Sequence, residues 1–177
     1  DEMDFRKVLR HHVTYNLFSD YATTASYTPP SHGERKVVIP DNIGSIKVVN
    51  IDNTFLGSSI SEISMPETIR HIGKEAFMDC VQLTEIKLPS HLKFIGSRAF
   101  KNCRQLRRVE LPDSLMHLGK GAFAGCTNLQ RIYIPESVVQ IGRNAFLGCD
   151  KCEFVCKKDS YAEQYLTQTG ITPIFRD

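Results

Sequence analysis

The sequence predicts an α/β-type repeat fold, a right-handed solenoid of stacked 23-residue coils with one short parallel strand per coil. Three observations predict it. Pro66, Pro89, Pro112 and Pro135 recur every 23 residues, as do Gly73, Gly96, Gly119 and Gly142. The Ala-Phe pairs at 76–77, 99–100, 122–123 and 145–146 keep the same register, and so do Cys80, Cys103, Cys126 and Cys149. Apolar columns run through Leu83, Leu106, Leu129 and Cys152, and through Ile63, Ile86, Val109, Ile132 and Val155. Coils of equal length cannot bury their apolar faces singly, but stacking them makes one continuous core.

Each column has a mechanical reading. In Leu83-Thr84-Glu85-Ile86-Lys87-Leu88 the last three residues alternate apolar, polar, apolar, which suits a short strand with one buried face. Proline closes the strand because it cannot donate a ladder hydrogen bond. A second apolar pair, such as Leu92 and Ile95, is expected to cover the next wall. The glycine is expected to permit a turn with unusual backbone angles. The Ala-Phe step is expected to form a short helical turn, with Phe filling the centre.

The run Ile-Gly-x-x-Ala-Phe-x-x-Cys-x-x-Leu-x-x-Ile-x-Leu-Pro resembles the BspA-like leucine-rich repeats over about residues 36–177. The first repeat departs from the pattern: Pro40 to Pro66 is 26 residues, Thr54-Phe55 replaces Ala-Phe, and Ser58 stands near the Cys slot. The resemblance implies a right-handed leucine-rich-repeat solenoid of a type widespread in surface and secreted proteins of anaerobic bacteria. It therefore implies an extracellular or cell-surface location and an adhesion-like role.

Both ends of such a stack need caps. Ser160-Tyr161-Ala162-Glu163 matches a capping box, and Gly170 stands where a helix ends on a left-handed residue. A C-terminal helix cap is expected there, with Ile171 to Phe175 as a final strand. At the other end, Val13 to Phe18 and Ala22 to Tyr27 flank Ser19-Asp20-Tyr21 as a hairpin cap. The run 1–12 is ambiguous between helix and strand. The organisation expected is a cap over 1–35, a solenoid over 36–157 and a helical cap over 158–177.

Composition narrows the function classes. A formal charge of +2 with no long basic run argues against nucleic acid as the main partner, and no apolar stretch is long enough to span a bilayer. The start Asp1-Glu2-Met3-Asp4 is acidic, unlike an export signal, although a signal removed upstream stays compatible with the sequence. Cys80, Cys103, Cys126 and Cys149 fall within disulfide distance on coils ~4.8 Å apart, yet they point inward in parallel and read as a reduced buried ladder. Cys149, Cys152 and Cys156 have metal-like spacing. By register the first two occupy buried slots and Cys156 falls on the exposed strand face, with no fourth ligand nearby, so no metal or cofactor is expected. His71 and His117 share a column about 9–10 Å apart with Phe94 between them, and His11-His12 would point to opposite sides of an extended chain. No nucleophile elbow, P-loop or zinc-protease pattern occurs, and the chain is not expected to be an enzyme.

Function is expected on the exposed strand face. Its outward columns are Lys36, Glu62, Glu85, Arg108, Arg131, Phe154 and Val38, Ser64, Lys87, Glu110, Tyr133, Cys156. Opposite charges meet at Glu85–Arg108 and Lys87–Glu110, which fits a self-neutralised, solvated sheet. The competing reading is a ligand-binding patch centred on Arg108, Arg131, Tyr133 and Phe154, since Arg and aromatic residues favour contact hot spots. Phe154 leaves that patch if the C-terminal helix covers it. The leading expectation is a non-catalytic module, monomeric or weakly self-associating, that binds a protein or extracellular-matrix ligand. The alternatives are a spacer or scaffold within a larger assembly and, third, a metal protein or enzyme using the Cys149–Cys156 cluster.

Overall fold

The computed structural model describes residues 6–33 and 35–177. The chain opens with an antiparallel meander of β1 (Arg6–Arg10), β2 (Val13–Leu17) and β3 (Ala22–Tyr27). In β2 burial alternates along the strand, with Val13, Tyr15 and Leu17 facing the core. The hairpin expected at 13–27 is thus present, and the ambiguous run before it supplies a third strand; its first five residues lie outside the described ones. His11 and His12 are not extended: both sit in a turn with φ of 46° and 70°.

The first coil carries β4 (Lys36–Val38), then a small hairpin of β5 (Asn42–Ile43) and β6 (Ile46–Ile51), which accommodates the longer Pro40–Pro66 spacing. Every later coil supplies a three-residue strand and then a two-residue strand. These are β7 (Glu62–Ser64) and β8 (His71–Ile72), β9 (Glu85–Lys87) and β10 (Phe94–Ile95), β11 (Arg108–Glu110) and β12 (His117–Leu118), and β13 (Arg131–Tyr133) and β14 (Gln140–Ile141). The chain ends with β15 (Glu153–Cys156), α1 (Tyr161–Gln168) and β16 (Ile174–Phe175). The three-residue strands make the expected parallel wall, in the order β16-β15-β13-β11-β9, with β4 and β7 as a separate pair. The two-residue strands add a second wall, β6-β8-β10-β12-β14, which the meander extends through β3.

The third side of each coil is a run of turns and not the expected helical turn. Ala76, Met78 and Cys80 donate to the carbonyls of Gly73, Glu75 and Phe77, but Glu75 and Asp79 have φ of 58° and 60°, which interrupts any helix. The alternate amides go elsewhere: Phe77 donates to Ala99 of the next coil at 2.7 Å, Phe100 to Ala122 at 2.8 Å and Phe123 to Ala145 at 2.7 Å. All three sides are therefore laced between coils by backbone hydrogen bonds.

The phenylalanines form a spine. Phe55, Phe77, Phe100, Phe123 and Phe146 stack with centroid separations of 5.4, 5.2, 5.1 and 5.8 Å and nearly parallel planes. Phe55 holds the first place despite its divergent repeat. The four cysteines beside the spine are free thiols, and each donates to a Phe carbonyl of the previous coil: Cys80 to Phe55, Cys103 to Phe77, Cys126 to Phe100 and Cys149 to Phe123, at 3.0–3.2 Å. Burial pushes the thiols up from their ordinary 9.0, Cys80 to about 11 and Cys149 to about 12. Such thiols are held protonated and inert.

The glycine column has a different cause from the one expected. Gly73, Gly96, Gly119 and Gly142 do not take left-handed angles; a Cβ on Gly96 would lie 2.6 Å from the Lys74 amide nitrogen. Glycine is there because the backbone of the neighbouring coil is too close for a side chain.

At the C-terminal end α1 closes the stack. The Ser160 hydroxyl accepts from the Glu163 N–H at 3.2 Å, and the Glu163 carboxylate accepts from the Asp159 N–H, the expected reciprocal cap displaced by one residue. Gly170, at φ 81°, donates to Thr167 and Ile171 donates to Leu166, the two bonds of a Schellman end. Tyr161 and Tyr165 tie the helix to the last coil through the Ile141 N–H and the Gly142 carbonyl.

Candidate functional site

The outward side chains of β9, β11 and β13 line two adjoining clefts of about 830 and 630 Å3, which share Arg108, Glu110, Leu111 and Asp113. They form one trough on the three-residue-strand face. Parallel pairing sets its register: Arg108 lies opposite Glu85 on one side and Arg131 on the other, and Glu110 lies opposite Lys87. The charge columns thus stand as the periodicity predicts. Ion pairs on this face and at its edge include Lys36–Glu62 at 3.4 Å, Arg131–Glu153 at 3.3 Å and Lys157–Glu136 at 3.4 Å.

Of the four candidate residues, Arg108, Arg131 and Tyr133 converge on the smaller cleft. Phe154 does not. It is buried, packed edge-on against Phe146 at 5.0 Å, and ends the aromatic spine. The reason is register: β15 pairs Glu153 with Arg131, Phe154 with Ile132 and Val155 with Tyr133, one residue earlier than the repeat dictates. Successive strand residues face opposite sides, so a slip of one turns every side chain over. Val155 consequently leaves the inward column and lines the cleft. Cys156, expected outside, is fully buried.

Cys149 and Cys152 stay close enough to interact, whereas Cys156 faces Ser160 and Glu163. The Cys149 thiol is directed to Phe123 and the Cys152 thiol to Glu153, and burial pushes the Cys152 thiol up to about 12. Among the described residues no group of three or more His, Cys, Asp or Glu side chains is arranged to hold a metal ion.

Several cleft residues went unnoticed in the sequence, among them Arg107, Asp113, Gln130 and Arg176. Arg176 follows β16, its N–H donates to the Cys156 carbonyl at 3.1 Å, and its guanidinium lies 4.0 Å above the Tyr133 ring centroid. The expected final strand at 171–175 was the available signal, because a strand paired to β15 carries the following residue to this face.

The second wall carries the histidine column. Phe94 contacts His71 edge-on at 4.7 Å and stacks on His117 at 4.8 Å, and the His117 Nδ1 lies 3.0 Å from the Gln140 Oε1. Burial lowers the His71 pKa, with the nearby Asp52 carboxylate opposing the shift. The two imidazoles are separated by a phenyl ring and do not converge on a common site.

Equal coils, a strand on each and an aromatic spine within define a leucine-rich-repeat solenoid. Residues 50–163 match the BspA type leucine rich repeat region in 6 copies, and the chain belongs to that family. It is similar to a leucine-rich repeat protein from Bacteroides ovatus, with 32% identity and a TM-score of 0.76, over 84% of this chain and 40% of that one. A leucine rich repeat protein from T. pallidum matches at 29% identity and a TM-score of 0.77, over 86% of this chain and 71% of that one. The pneumococcal vaccine antigen PcpA shares the fold at 18% identity and a TM-score of 0.66, over 86% of this chain and 50% of that one. The chain spans less than half the length of the Bacteroides protein. Among curated proteins no sequence matches it significantly. No helix among the described residues is long and apolar enough to cross a membrane.

Proposed function

We propose that this chain is a non-catalytic interaction module that captures a protein or extracellular-matrix ligand on its three-residue-strand face, displayed at or outside the cell surface. The observation that carries the reading is the trough in which Arg108, Arg131 and Tyr133 meet. Arginine and tyrosine supply contact energy at interfaces, and here they project from strands fixed by a core that does not need them. Extended solenoid faces suit such work because their outward residues vary without disturbing the stack. Display outside the cell rests on membership of the BspA-type family.

The test is capture of purified extracellular-matrix proteins by the immobilised chain. The double variant Arg131→Glu with Tyr133→Ala is expected to abolish capture while unfolding within about 1 kcal/mol of the parent, since the groups lost are exposed or half-buried. Capture that survives the double variant would remove this face from consideration. End-to-end self-association in sedimentation without any capture would instead favour a spacer or scaffold.

A further inference from the structure

Resting on that reading, we propose that the ligand presents an acidic, extended polypeptide segment, whose Asp or Glu carboxylates seat among Arg108, Arg131 and Arg176 at the C-terminal end of the trough. Charge is grouped along the outer column between Lys36 at one end and Glu153 at the other, while in the column beside it Lys87 lies opposite Glu110. Reading the outer column across successive coils, Glu62 and Glu85 come first and Arg108 and Arg131 follow. Arg108 and Arg131 are directly paired across adjacent strands, an arrangement that like charges disfavour. Arg131 has Glu153 on its far side and Arg108 has Glu85 on its own, yet the two guanidinium groups still stand side by side, where a carboxylate laid between them would meet both.

The basic end is also held ready. Arg131 is anchored by Glu153 at 3.3 Å, and Arg176 is fixed by its backbone bond to Cys156 and by its seat over Tyr133. Guanidinium forks match carboxylates in bidentate geometry, and side chains already ordered lose less freedom on binding. Tyr133 gives the cleft an apolar surface for the methylenes of a Glu side chain. A uniformly sulfated glycan carries the same sign of charge but fits less well. Glu110 and Asp113 lie in the same cleft and repel an unbroken anionic chain, whereas a polypeptide places carboxylates only opposite the arginines.

The experiment is fluorescence anisotropy of the intact chain with three labelled probes: a short unstructured Glu/Gly peptide, a Lys/Gly peptide of equal length, and a heparin fragment. The acidic peptide is expected to bind saturably, to weaken as salt rises, and to lose about tenfold or more in affinity in Arg108→Gln/Arg131→Gln and in Arg176→Ala. Lys7→Gln, on the exposed N-terminal meander and outside the trough, is expected to leave its binding unchanged, and circular dichroism melts confirm that each variant is folded. Absence of saturable binding at low salt, equal binding by the arginine variants, or tighter binding of heparin than of the acidic peptide would each overturn the proposal. If the acidic peptide fails while Arg131→Glu/Tyr133→Ala still abolishes matrix capture, the ligand class is wrong and the face is right. If both fail, the interaction face itself is wrong.

Discussion

At Gly96 an added methyl group would lie 2.6 Å from the Lys74 nitrogen and 2.7 Å from the Gly73 carbonyl carbon, inside backbone that is itself hydrogen-bonded to its neighbours. Gly44 presents the opposite situation, with φ of 63° and nothing within 4 Å of its missing side chain. Gly96→Ala is expected to cost about 3 kcal/mol, because only a shift of a whole coil relieves the contact. Gly44→Ala is expected to cost about 1 kcal/mol, the penalty of a left-handed alanine. Urea unfolding of the two variants measures both, and a reversed order would contradict the close-packing explanation of the glycine column. Composition alone does not separate these two reasons for glycine, which is why the repeat suggested a turn.

Among the elements, the aromatic spine is the one with a direct stability test. Phe100 is fully buried between Phe77 and Phe123, so Phe100→Ala opens a cavity bounded by rings that belong to different coils and cannot close in. A loss of about 3–5 kcal/mol is expected from calorimetry, and a mild effect would contradict the stacked arrangement. The coils and the spine were legible in the sequence because each buried column repeats one residue type at one spacing, and the helix cap because Ser160, Glu163 and Gly170 mark its two ends. Three of the four candidate residues were placed correctly on the face for the same reason. Phe154, Val155 and Cys156 were misplaced because the last strand pairs one residue early, and a fixed period extrapolates past that slip. Arg176 lies beyond the repeat altogether. Its position depends on how the tail after α1 returns to pair with β15, which no column encodes.

The whole molecule shares one core, so ionisation at any coil is felt by the entire stack. The ladder thiols hold their protons more tightly in the fold than in the unfolded chain, with Cys80 and Cys149 at about 11 and 12 against an ordinary 9.0. Above pH 9 the unfolded chain therefore binds fewer protons than the folded one, and stability falls as pH rises. Melting temperature is expected to show no thiol-dependent change below about pH 8 and to decline from about pH 9 towards 12. A Cys103→Ala/Cys126→Ala variant is expected to decline less steeply over the same interval. An equal slope in parent and variant would assign the alkaline loss to groups other than the ladder.

The early pairing of β15 has a consequence for how such a protein can grow. A whole 23-residue unit inserted ahead of Cys149 keeps inside and outside in phase, and the aromatic stack simply lengthens by one ring. A copied strand placed directly after Phe154 would run one residue out of step, presenting its charged residues inward and its apolar ones to water. The dropped residue thus marks where the 23-residue phase ends, and the segment past it is freed from that phase to fold as the helix that covers the stack.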